Sequence, residues 1–241
     1  MSAENLKRAL EQHVALDAFL TGDFGLKGDL PMPAAFEQAE PELVDKAGKL
    51  EEIAEQIRQC CKCGLNETRK NAVIGEGNPD AELVFVGEAP GADEDEQGRP
   101  FVGRSGKLLT KIIAAMGLSR DDVFICNILK CRPPENRDPK PDEIVDCMGY
   151  LQQQLDIIRP QVIVALGAHA ARTLLSTNQG IGKLRGRFHE YTFSDEEPPV
   201  KLMPTYHPSY LLRNYSQDNR RRVWEDMQKV MQELGLELPG K

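Results

Sequence analysis

Three groups of residues have side chains suited to chemistry. The first lies in 87–103, GEAPGADEDEQGRPFVG, after an apolar run from Leu83 to Val86 and before a helical pattern starting near Gly103. A glycine-rich turn between a strand and a helix commonly cradles a phosphate on backbone N–H groups. This turn carries five carboxylates, Glu88, Asp93, Glu94, Asp95 and Glu96. They repel a phosphate, so the stretch must hold something else. The second group is Asn127 and His207, each following an apolar run. An amide offers a donor and an acceptor together, and an imidazole changes charge near neutrality. The third is six cysteines, at 60, 61, 63, 126, 131 and 147. Cys60 and Cys63 form a C-x2-C pair, whose short turn aims both sulfurs at one centre. Cys131 and Cys147 either complete a four-thiolate set or are small buried apolar residues. Four thiolates hold zinc or an iron–sulfur cluster, and spacing alone does not choose. Cys126 sits inside a strand pattern and reads as core. Cys61 is the weakest ligand candidate.

These groups need a frame that brings distant residues together. Short apolar runs at Leu83–Val86, Val123–Asn127, Val162–Leu166 and Lys201–Thr205 read as strands. Helical periodicity covers 42–59, 104–116, 141–158, 168–176 and 217–234. Apolar strands alternating with helices predict a three-layer α/β/α sandwich with a central, mainly parallel four-stranded sheet. Ligands of such sheets bind at the carboxyl ends of strands. The acidic stretch, Asn127 and His207 all fall there. Residues 4–20 fit an amphipathic helix, and the following Gly-, Pro- and acid-rich stretch reads as a linker. The expected division is an acidic N-terminal extension, 1–45, and a functional domain, 46–241.

The formal charge is −8. Residues 1–59 hold twelve acids and six bases, so the rest of the chain is close to neutral. Basic residues cluster at Lys183, Arg185 and Arg187 and at Arg213 and Arg220–Arg222. A local basic face on an acidic protein is one reading, and scattered solvated charge is the other. No apolar run reaches the ~20 residues of a membrane span, and the first residues lack a signal-peptide core. The expectation is a cytoplasmic, monomeric protein without membrane contact.

Together, GEAPGADEDEQGRPFVG, NILKCRPPENR and HPSYLLR resemble the family-4 uracil-DNA glycosylases, the iron–sulfur enzymes of bacteria and archaea. The resemblance runs from Cys60 to the last helix. It implies a [4Fe–4S] cluster on Cys60, Cys63, Cys131 and Cys147. It implies uracil contacts from Glu88, Ala89, Pro90, Phe101, Asn127 and His207. It further implies a monofunctional hydrolase that opens base-excision repair on uracil-containing DNA. A related branch traps uracil-DNA covalently through a His in an Arg-rich insertion. The comparable stretch here, KCRPPENRDPKPDEIVDC, has no His, which favours turnover. The alternatives are a non-catalytic or covalently trapping uracil-DNA-binding protein, and a cluster-bearing redox protein.

In this reading the acidic stretch faces a sugar that becomes cation-like as the bond stretches, which answers why it is acidic. Glu88 orients water or stabilises that sugar. His207, as a neutral ring, donates to uracil O2. Phe101 stacks on the flipped base. Asn127 matches O4 and N3–H, and Glu94 crowds the C5 side against thymine's methyl. Leu211 and Leu212 either wedge into the vacated stack or form the apolar face of a short helix. Arg213 grips phosphate. The cluster staples two segments rather than transferring electrons. The N-terminal extension is a candidate docking segment for a repair or replication protein.

Overall fold

A computed structural model describes residues 45–193 and 198–238. The predicted helix over 4–20, the linker after it and the first residues of the 42–59 helix lie outside the described residues. The strands are β1 (Glu76–Gly77), β2 (Leu83–Gly87), β3 (Phe124–Asn127), β4 (Val162–Leu166), β5 (His189–Tyr191) and β6 (Val200–Thr205). The helices are α1 (Lys46–Gln59), α2 (Ala92–Gln97), α3 (Arg104–Ala115), α4 (Pro141–Ile158), α5 (Ala168–Leu174), α6 (Ile181–Leu184), α7 (Pro208–Arg213) and α8 (Gln217–Glu233).

The sheet has six strands in the order β1-β3-β2-β4-β6-β5. The four expected strands form its parallel centre. The expected count of four is corrected by β1 and β5, which pair antiparallel at the two edges and make the sheet mixed. Two- and three-residue strands are too short to show a period of two, so pattern reading passes over them. Strand alternation divides the core. Val84, Val86, Cys126, Ile163 and Ala165 pack with Ile53 and Ile57 of α1, Leu151 and Leu155 of α4 and Ala171 of α5. Leu83, Phe85, Ile125, Val164 and Met203 pack with Leu109 and Ile113 of α3 and Met227 and Val230 of α8. Helices therefore cover both faces, and every residue of β2, β3 and β4 is buried. Each fully buried aliphatic contributes roughly 1.5–3 kcal/mol, which suits near-continuous apolar strands rather than alternating ones. Cys126 is 1% exposed within this core, as its strand position predicts.

Two helices were not foreseen. The acidic stretch itself folds into α2, with Asp93, Glu94 and Asp95 in its first turn, where the partial positive end of a helix favours carboxylates. The α6 turn is only four residues long. Asp45, assigned by sequence to the extension, instead caps α1 by accepting from Gly48 N at 2.8 Å.

Candidate active site

The strand ends converge as the parallel sheet requires. Beyond the paired strands, Ile128 N donates to Gly87 O at 3.0 Å and Leu129 N to Glu88 O at 3.0 Å. The turn carrying Glu88 is thereby zipped to the segment leaving Asn127. Gly87 is obligatory at this junction. A Cβ there would lie 2.3 Å from Asn127 Oδ1 and 2.5 Å from the Phe101 ring. One cavity of about 720 Å3 is lined by Glu88, Ala89, Pro90, Glu94, Phe101 and Asn127. His207 and Arg213 line the same cavity. All seven residues expected around the base thus meet in one place, although they are drawn from three strand ends.

Asn127 is 2% exposed, and its Oδ1 is buried with no hydrogen-bond partner among the described residues. An orphaned acceptor costs roughly 1–3 kcal/mol, so its retention points to a ligand that donates to it. His207 ends the β6 segment and caps α7. Its Nδ1 accepts from Ser209 N at 3.1 Å. An accepting Nδ1 carries no proton, so the neutral ring bears its hydrogen on Nε2. Burial, reinforced by the Arg213 charge, lowers the His207 pKa to about 4. The ring is therefore a neutral donor at physiological pH. Phe101 lies 5.7 Å from His207 between ring centroids, tilted by 35°.

Phe101 adopts φ +53°, a backbone region unfavourable for an aromatic residue. Two devices hold it there. Glu94 accepts from Val102 N and Gly103 N at 2.9 Å each and from Gly91 N at 3.1 Å. Arg120 donates to Phe101 O at 3.1 Å and to Pro100 O at 2.7 Å, and itself pairs with Glu76. Glu94 is thus the clasp of the loop, a use its type and position did not announce. Arg120 was missed altogether, because an Arg in a polar turn carries no signal.

The expected DNA-contact set changes. Leu211 is 3% exposed, which removes it as a wedge and makes it the packing face of α7. Leu212 remains exposed at 37%. The basic clusters are partly consumed by internal pairing. Arg185 grips the fully buried Asp226 at 2.6 Å, and Thr205 donates to the same carboxylate at 2.6 Å. Arg221 and Arg222 pair with Asp218. Arg213 stays on the cavity wall.

A second, smaller pocket is lined by Cys60, Cys63, Cys131 and Cys147 together. Cys60 ends α1, Cys63 follows it, Cys131 leaves the β3 segment and Cys147 lies in α4. Arg69 Nη1 donates to Cys131 Sγ at 3.0 Å, and Lys130 N donates to Cys147 Sγ at 3.3 Å. Donors aimed at sulfur favour thiolates, whereas burial opposes them and pushes the Cys147 thiol up to about 11. A bound metal resolves that opposition. Cys61 is exposed, and Cys126 lies apart in the core.

The fold and the two sites define a class: an α/β protein with a cavity at its strand ends beside a set of four cysteines. Residues 74–228 match the model of the uracil DNA glycosylase superfamily. The type-4 uracil-DNA glycosylase of Saccharolobus solfataricus is 48% identical over 190 residues, covering 77% of this chain and 86% of that protein. That of Thermotoga maritima is 48% identical, covering 75% and 92%. That of Archaeoglobus fulgidus is 44% identical, covering 79% and 96%. The chain belongs to the type-4 group of the uracil-DNA glycosylase superfamily.

Proposed function

We propose that this protein is a monofunctional uracil-DNA glycosylase that hydrolyses the N-glycosidic bond of deoxyuridine in DNA. The observation that carries the residue assignments is the unpartnered, buried Asn127 Oδ1 in the same cavity as the neutral His207 ring. Uracil offers N3–H to that oxygen and O4 to the amide nitrogen. Its O2 receives the Nε2–H of His207. The target base leaves the duplex and stacks on Phe101. As the N1–C1′ bond lengthens, its electron pair passes to the uracil ring. His207 stabilises the growing charge on O2 through a donor already in place. Glu88 orients water and faces the cation-like sugar. The water oxygen bonds to C1′, and its proton passes through Glu88 to solvent. Arg213 and the exposed Leu212 meet the flanking strand.

Cys60, Cys63, Cys131 and Cys147 would hold a [4Fe–4S] cluster. The four sulfurs line one small pocket, with Arg69 donating to Cys131 and Lys130 N to Cys147, a set of thiolate ligands of the kind that holds an iron–sulfur cluster. The cluster supplies cohesion between α1, the segment after β3 and α4; hydrolysis needs no electron transfer. Residues 1–43 lie outside the catalytic unit and are a candidate tether for a repair or replication protein. No helix among the described residues is long and apolar enough to cross a membrane.

The test is incubation with oligonucleotides carrying one uracil, followed by alkaline cleavage. Strand breaks only at uracil are expected. Intact strands, or a protein–DNA adduct that survives denaturation, would overturn the assignment of turnover.

A further inference from the structure

Glu88 does not face the cavity alone. Its carboxylate, that of Asp138 and a ring nitrogen of His169 all lie within 4.8 Å of one another. His169 Nε2 is 3.6 Å from Asp138 Oδ2. The three come from separate elements: the turn after β2, the stretch before α4 and the first turn of α5. All three line the main cavity. No base-reading step uses Asp138 or His169.

Their arrangement bears on the charge of Glu88. Burial disfavours its ionised form and raises its pKa; the His169 charge opposes this, Asp138 adds to it, and Arg213 also opposes it. The remaining charged groups on the cavity are otherwise engaged. Glu94 is bound by three amides, and Arg137 is paired with Glu143. His207 has its Nδ1 on Ser209 and is neutral above about pH 4. The cations facing Glu88 are therefore Arg213 and protonated His169, and His169 is the one inside the close triad.

We propose that His169, held against Asp138, is a positioning residue that keeps Glu88 ionised while the glycosidic bond breaks. An imidazolium between two carboxylates offsets their mutual repulsion, and an ionised Glu88 is the form that can orient water and face a cation-like sugar. The inference rests on the role of Glu88 given above. It adds a cationic partner on α5 that is remote in sequence from every motif.

The test is single-turnover excision on a uracil oligonucleotide across about pH 4.5–8.5, each variant normalised to its own plateau. His169→Asn should move the acid limb to higher pH, retaining at pH ~5 about three- to tenfold less of its plateau than the parent chain. His169→Lys, which keeps a cation, should restore the parent profile. In a Glu88→Gln background, His169→Asn should leave the residual profile unmoved. Thermal melting of each variant guards against a folding defect, which moves the plateau rather than the limb. Coincident profiles for the parent chain and His169→Asn, with Glu88→Gln strongly impaired, would overturn this inference alone. A Glu88→Gln variant with the parent rate and profile would overturn the Glu88 reading, and this inference with it.

Discussion

The strand-end cavity and the cysteine pocket are both hung on the segment leaving β3, only four residues apart at Asn127 and Cys131. They are finished in different ways. The cavity is complete within the chain. Glu94 and Arg120 hold Phe101, Ser209 sets the His207 tautomer, and the β2 turn is zipped to the strand beyond Asn127. One acceptor, Asn127 Oδ1, is left without a partner among the described residues. The cysteine pocket puts opposing demands on its sulfurs. Burial raises the pKa of Cys63, Cys131 and Cys147, against donors that favour their thiolates. Preorganised donors are built to act on a transient charge, whereas a metal site borrows folding energy from its metal.

The largest expected effect separates the two sites. Cys147→Ala should lose the cluster's broad visible absorption, the iron content and soluble folded protein together, while Cys126→Ala keeps the iron. Purified parent protein with one zinc and no iron would overturn the cluster assignment. Next in size is His207→Ala, with single-turnover excision slowed by roughly 10²–10³-fold while the visible absorption is unchanged. DNA affinity should fall far less than rate. Because the folded-state pKa of His207 is depressed to about 4, its contribution to stability is present above about pH 6.5 and is lost as pH falls toward 4. Thermal melts of parent and His207→Gln across that window check the sign, with the parent losing more.

Asn127→Asp should cost uracil excision about 10–100-fold, from a mismatch of roughly 1–3 kcal/mol, and should gain measurable excision of cytosine. Asp presents an acceptor to the cytosine amino group and, when protonated, a donor to N3. Wild-type rate and discrimination in this variant would remove Asn127 from base reading. Arg120→Ala should be smaller again: it frees the Pro100 and Phe101 carbonyls, and should weaken uracil excision several-fold with the iron retained. The smallest effect is expected from a chain beginning at Val44, which keeps the Asp45 cap on α1 and should excise uracil at close to the full rate. A loss of orders of magnitude with the fold intact would draw residues 1–43 into the catalytic unit.

Much of this was legible in the residues alone. The four central strands are continuous apolar runs, and α4 begins and ends where Pro141 and the helical period place it, at 141 and 158. Glu88, Asn127 and His207 could be singled out because each follows such a run, and parallel strands all end on one side of the sheet. Cys126 declared itself as core by its place in a strand. Only the tertiary structure decided the rest. Leu211 and Leu212 are adjacent and chemically alike, yet one is buried and the other exposed, because the turn of α7 against the body decides which side each faces. Arg185 looks like part of a basic face and proves to be the partner of buried Asp226, forty-one residues away. Glu94 among four other acids takes its amide partners from its own turn, at Gly91, Val102 and Gly103, whereas His169 comes beside Glu88 by a chain crossing that leaves no local trace. Periodicity reports which side of an element meets the core; it carries no record of which distant polar group waits there, since that pairing is set by the packing of elements far apart in the chain.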